Sequence, residues 1–302
     1  SALHTLLRHA PCAVVVLGGL LALFDINRMQ PWFYQSMLMF FGLGVTRRKD
    51  AWAICGFILS ATYVWSGLQK VNASFAADVF PWLLKPLGLE ALQPFWWLAP
   101  LLETSVGVLL IVPRTRRWGL AGAGAIHAFL LIALGPWGQS YNSVVWPWNV
   151  WMPLLAFVMF FRNPESLLPS AWRARRGKIV LVLVGALPFL SFFGRWDTYL
   201  SAALYSGRAD QGYLLFTEEG VRRLPAQVQP FVNRLPDRIG LDLFRWSMAE
   251  MNVPCYPEVR VYQAIGRKLE QTGVPADGMM LVVTDRPSLT SAKPRTRVIP
   301  VR

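Results

Sequence analysis

Three ionisable groups set among apolar residues, Lys70, Glu103 and His127, are the positions in this chain where chemistry could be done. Lys70 follows a stretch without charge from Ala51 to Gln69, long enough to cross a bilayer as a helix. Ser66 and Gly67 lie four and three residues before it, so on a helix they share its face and leave a notch beside the ammonium. An ammonium at such a place either snorkels to the headgroups or serves a site. Glu103 and His127 fall near the middle of the next apolar runs. Alone, Glu103 could be a protonated acid bonded to its surroundings, and His127 could simply join helices. Together, at one depth on consecutive helices, they are expected to line a polar cavity.

A second set of residues could form the rim of that cavity. Asp25 and Arg28 come within pairing distance if their turn is helical, either as a surface turn or facing inward near Lys70. The uncharged loop from Gly135 to Asn149 offers Gln139, Asn142 and Asn149 as donors and acceptors and Trp146 and Trp148 as flat walls. It could hold a flat ligand such as a quinone ring, or simply form an aromatic belt at the membrane interface. No metal site is expected from three His and three scattered Cys, and the glycines at 119–124 fall inside a helix rather than in a phosphate-binding loop.

The elements that must position these groups follow from composition. The 302 residues are 54% hydrophobic and only 16% charged, with 14 Trp, and the apolar residues come in blocks. Candidate spans lie at about 10–24, 30–46, 51–70, 91–113, 118–136, 143–161 and 179–194. The expected fold is an all-α polytopic membrane protein of about seven transmembrane helices over residues 1–196, with a small extramembrane α+β domain over 197–302. Between the third and fourth spans, residues 73–92 are apolar but broken by Pro81, Pro86 and Gly88, which suits an interfacial or re-entrant segment. In the tail, strands are expected at Tyr213–Thr217, Val259–Tyr262, Met279–Thr284 and Val298–Val301, a helix near Leu241–Met251, and a polar, mobile stretch at Pro287–Lys293.

The net charge of +13 does not point to nucleic acid. Basic residues collect in alternate connectors: Arg47 to Lys49, Arg114 to Arg117, and Arg162 to Lys178. That is the positive-inside pattern, and it sets these loops in the cytoplasm and the C-terminal domain in the periplasm of a bacterial inner membrane. The expected partners are the lipid bilayer and other membrane subunits.

Trp65-Ser-Gly-Leu-Gln-Lys70-Val-Asn resembles a lysine motif of vitamin K-dependent γ-carboxylases and their bacterial HTTM relatives, and also the Gly-x-x-Lys-Leu helix of DoxX-type proteins. The likeness continues through Pro100-Leu-Leu-Glu103, Arg114-Thr-Arg116 and His127 to Trp146-Pro-Trp-Asn149, over roughly residues 51–160. It implies quinol-dependent oxidation or modification of a substrate with Lys70 as base; on the reading of the residues themselves, His127 and Glu103 are the further catalytic candidates, and Asp25, Arg28, Asn142, Trp146 and Asn149 the candidates for the substrate or quinone site. The other reading is a non-catalytic membrane subunit or assembly factor of a larger complex.

Overall fold

The structure is a computed structural model that describes residues 2–163, 165–173, 175–287 and 294–301. Residues 288–293 of the expected polar stretch fall outside that set. The chain divides into two compact units, Ser1–Arg208 and Ala209–Arg302.

The first unit is helical and built around α3 (Arg48–Gln69). Free of proline and rich in Ala, Ile and Leu, α3 buries Ile54, Ile58, Leu59 and Tyr63 on different sides, as expected for a central helix. Before it, α1 (Ala2–Phe24) and α2 (Pro31–Val45) form a hairpin. Their connector is a single 3₁₀ turn, Ile26–Arg28, whose start is capped by the Asp25 carboxylate accepting from the N–H of Asn27. After it come α4 (Phe80–Leu84), α5 (Leu98–Ile111), α6 (Arg116–Leu134) and α7 (Trp146–Phe160), then α8 (Leu167–Arg173) and α9 (Arg175–Val180).

Among the described residues, three stretches are long and apolar enough to cross a membrane: Asp50–Gln69, Pro113–Leu134 and Ser143–Phe160. His9–Phe24, Leu98–Ile111 and Gly177–Phe193 are apolar but shorter. The sequence expectation of about seven full spans is thus met only in part, and backbone chemistry explains the shortfall. The expected span at 91–113 loses its first turns to a 3₁₀ segment, Glu90–Phe95, that contains Pro94. What remains as α5 is 14 residues, or about 21 Å at 1.5 Å per residue, short of a bilayer core of roughly 30 Å. At 179–194 the chain is a π-helix over Leu181–Ala186 followed by 3₁₀ turns over Leu187–Phe193, where Pro188 removes a donor. The interrupted segment after α3 is likewise a π turn (Phe75–Val79), α4 and 3₁₀ turns, ending on a left-handed Gly88.

Arg116, expected to be a loop anchor, is instead buried. Its guanidinium donates to the carbonyls of Leu110, Asn163 and Glu165 and stacks over Phe160, tying the start of α6 to the end of α7. Residues 197–208, assigned to the tail from sequence, belong to the helical unit. Ser206 accepts from the Asn72 side chain through its carbonyl, and Arg208 lies over Phe192.

The second unit carries a five-stranded antiparallel sheet in the order β2-β3-β1-β4-β5. Its strands are β1 (Gln211–Phe216), β2 (Val232–Leu235), β3 (Arg238–Asp242), β4 (Met279–Thr284) and β5 (Thr296–Ile299). Along β1, Gly212, Leu214 and Phe216 are buried and their neighbours less so, the period-two pattern of a sheet with one covered face. Three helices accompany it: α10 (Glu218–Arg222), α11 (Leu243–Met251) and α12 (Val259–Gln271). Val259–Tyr262, expected as a strand, opens α12. Val259, Tyr262, Gly266 and Leu269 repeat every three or four residues, a helical period that a four-residue window reads as alternation. Near β1, Arg286 bonds Asp210 through both side-chain and backbone nitrogens and also reaches Glu258. Burial disfavours the Arg286 charge, but the two carboxylates outweigh it and hold the guanidinium above its ordinary value.

Candidate functional site

Close helix packing sets up the polar site. Gly67 of α3 lies against α5, where an added Cβ would come within 2.6 Å of the Thr104 nitrogen and 2.8 Å of the Pro100 oxygen. Reciprocally, Gly107 of α5 lies against the Ser60 oxygen and the Val64 nitrogen of α3. Two glycines placed this way let the backbones touch, as small residues do between membrane helices. Gly119 and Gly122 of α6 then abut Leu110 and Val106 of α5, whereas Gly124 faces open space.

This contact brings Lys70 and Glu103 together. Lys70 is the C-terminal cap of α3, and its ammonium lies 2.7 Å from Glu103 Oε2. It also donates to the Ser66 carbonyl at 3.1 Å and the Ser66 hydroxyl at 2.9 Å. Ser66 thus accepts twice from Lys70, and Glu103 supplies the opposite charge beside it. Glu103 stands at the level of Lys70 rather than deeper, because α5 begins only at Leu98. The turn after Lys70 is held by Asn72, which donates to the Gln69 and Ser206 carbonyls and accepts from the N–H of Phe75.

His127, on α6, joins three helices. Its Nδ1 is 2.7 Å from Asn149 Oδ1 of α7, and its Nε2 is 2.9 Å from the Tyr63 hydroxyl of α3. Asn149 donates its own amide hydrogen to the Val145 carbonyl, leaving Oδ1 as acceptor. The network therefore assigns the proton to Nδ1 of His127, with Tyr63 donating to Nε2. Tyr63, His127 and Asn149 are all at least 95% buried.

The two groups share one cavity. Lys70, Glu103, Ser66, Thr62, Tyr63, His127, Asn149 and Tyr205 are among the residues that line it. Leu83, Leu130, Trp148, Met152 and Leu204 supply apolar wall, and about 40 Å³ is open to the centre of a water molecule. Lys70 and Glu103 keep 10% and 14% of their side chains exposed, so the ion pair is the more accessible end and His127 the enclosed one.

Other residues singled out in the sequence are placed elsewhere. Asp25 and Arg28 pair at 3.9 Å on a partly exposed turn and do not line the cavity. Asn142 is buried in a left-handed conformation ahead of the 3₁₀ turn Ser143–Val145, outside the lining. Trp146 donates to the Leu134 and Tyr141 carbonyls and so closes its loop, while Trp148 is the tryptophan in the wall. Tyr63 was not singled out as a site residue, although its spacing of three and seven residues from Ser66 and Lys70 puts it on the same helical face. Tyr205 had no signal at all, since it arrives from a segment that reads as tail. Among the described residues, no cluster of three metal-ligating side chains occurs.

Residues 48–137 match the family model described as methylamine utilisation protein MauE. The match spans α3 to α6, and so includes Lys70, Glu103 and His127. No curated protein and no solved structure matches the chain. The carboxylase, HTTM and DoxX likeness gains no support from these comparisons. With its long apolar helices the chain is a membrane protein, and the similarity to that family is confined to residues 48–137.

Proposed function

We propose that this chain is a membrane accessory protein of a methylamine-utilisation type of system, serving a partner rather than turning over a substrate by itself. The observation that carries this reading is where the family match falls. It covers the segment, 48–137, that builds the Lys70–Glu103 pair and carries His127. Two further points favour it over quinol-dependent carboxylation with Lys70 as base. Lys70 is held by the Ser66 carbonyl and hydroxyl and by the Glu103 carboxylate rather than standing free beside a substrate. The cavity leaves about 40 Å³ open to the centre of a water molecule, space of the kind that buried water fills.

In this reading Lys70, Glu103, His127 and Asn149 form the site, and Asp25, Arg28, Asn142 and Trp146 shape the surrounding turns. The alternation of basic connectors supports placing the protein in a bacterial inner membrane with the C-terminal unit in the periplasm. The test is removal of the chain from its host. Loss of growth on methylamine as nitrogen source, with normal growth on ammonium, is expected. Equal growth on both would overturn the assignment to methylamine utilisation.

A further inference from the structure

We propose that the cavity between α3, α5, α6 and α7 is a water-binding site that joins the Lys70–Glu103 pair to the Tyr63–His127–Asn149 chain as one proton-exchanging network. This rests on geometry within the helical unit and holds whether or not the accessory reading does.

Space comes first. A single water occupies a cavity of about 10–15 Å³, and with about 40 Å³ open to the centre of a water molecule this one has room for more than one. Buried water also needs polar partners, and this lining offers several with unused capacity. Tyr205 lines the cavity, and its hydroxyl is shielded from solvent with the Asn142 amide near it, beyond good hydrogen-bond geometry. An unmet buried hydroxyl is destabilising, a loss that water removes. Glu103 approaches Lys70 with Oε2, and its carboxylate has further lone pairs with which to accept. Tyr63 donates to His127, and its oxygen keeps a lone pair. These three oxygens, with the Ser66 hydroxyl, surround the same space.

The chemistry of such a chain balances without any co-reactant. Lys70 gives a proton to Glu103, leaving a neutral amine and a carboxylic acid. The acid passes its proton to the first water, and each water accepts one proton as it releases another. The last water protonates the Tyr63 oxygen as the Tyr63 proton moves to Nε2 of His127. One positive charge has then moved from the accessible end of the cavity to its enclosed end, and Glu103 is a carboxylate again.

Two methionines on α7 make a matched test. Met152 and Met159 are 2% and 3% exposed and belong to one core cluster, but only Met152 lines the cavity. Purified full-length protein in lipid nanodiscs is exposed to short X-ray pulses that make hydroxyl radicals from bound water, and oxidation is mapped by mass spectrometry. Met152 is expected to oxidise several-fold faster than Met159, and Leu130→Phe, which fills the wall, is expected to slow Met152 alone. Equal, slow oxidation of both methionines would overturn the proposal. So would fast oxidation of Met152 that a folded Leu130→Phe protein leaves unchanged. Should that variant fail to fold, the comparison of the two methionines in the unmodified protein decides.

Discussion

Replacing Glu103 by Gln leaves the Lys70 ammonium in place with no counter-charge. The two side chains are 10% and 14% exposed and 2.7 Å apart, so the pair is nearly, though not fully, removed from solvent. Removing one partner of a fully buried pair costs about 3–5 kcal/mol. The residual exposure puts this pair at the low end, about 3 kcal/mol, or roughly a 100-fold fall in the ratio of folded to unfolded protein. Replacing both partners, Lys70→Met with Glu103→Leu, removes the uncompensated charge, and stability is expected to return to within about 1 kcal/mol of the original. The assay is reversible unfolding in lipid bicelles by added denaturing detergent, followed by tryptophan fluorescence, for both single variants and the double. The reasoning predicts strong non-additivity, with the double variant more stable than Glu103→Gln alone. If each single change costs under about 0.5 kcal/mol and the effects add, the pair is a solvated surface contact and the argument fails.

Gly67→Ala is expected to destabilise by about 1–3 kcal/mol, because its Cβ would meet the Thr104 and Pro100 backbone. Gly124→Ala, with open space around it, is expected to be neutral or to gain up to about 1 kcal/mol in the same unfolding assay. Asn149→Leu removes the acceptor for Nδ1 of His127 and is expected to cost about 1–3 kcal/mol, with ¹⁵N shifts showing His127 no longer held in one tautomer. In the second unit, Arg286→Leu removes the guanidinium shared by Asp210 and Glu258, and a cooperative loss of the sheet is expected by amide hydrogen exchange. The exposed Glu218 carboxyl is held below its ordinary range, chiefly by the hydrogen bond from Arg234. A lowered carboxylate stabilises the fold above its unfolded value, and that contribution fades as pH falls through the lowered one. Arg234→Gln is therefore expected to raise the Glu218 titration midpoint, read from its carboxyl ¹³C shift.

Much of the site can be read from residue type and spacing, because the bilayer penalises polar groups that have no use. Lys70, Glu103 and His127 stand out in apolar sequence for that reason, and their gathering around one cavity follows from Gly67 and Gly107, which allow α3 and α5 to touch. Depth was harder to read. Hydropathy counts Glu90–Phe95 as part of a span, yet Pro94 turns that segment into 3₁₀ structure, and Glu103 rises to the level of Lys70. The same blindness to backbone geometry applies at Leu181–Phe193, apolar like a span but not α-helical. Tyr205 lay beyond reach, since its place in the cavity depends on residues 199–206 folding back on the helical unit. In the second unit β2 and β3 escaped notice because they are short and mixed in polarity, and their pairing is set by the register Val232–Leu241 to Leu235–Arg238 rather than by composition.

The central claim is that the Lys70–Glu103 site serves a partner in the membrane. The most direct measurement is purification of the full chain from its native membrane in mild detergent, with quantitative mass spectrometry of co-purifying proteins and extraction of bound quinone. The account predicts a stoichiometric partner chain, lost in Glu103→Gln, and no stoichiometric quinone. A chain isolated alone that holds one quinone and turns it over would contradict it.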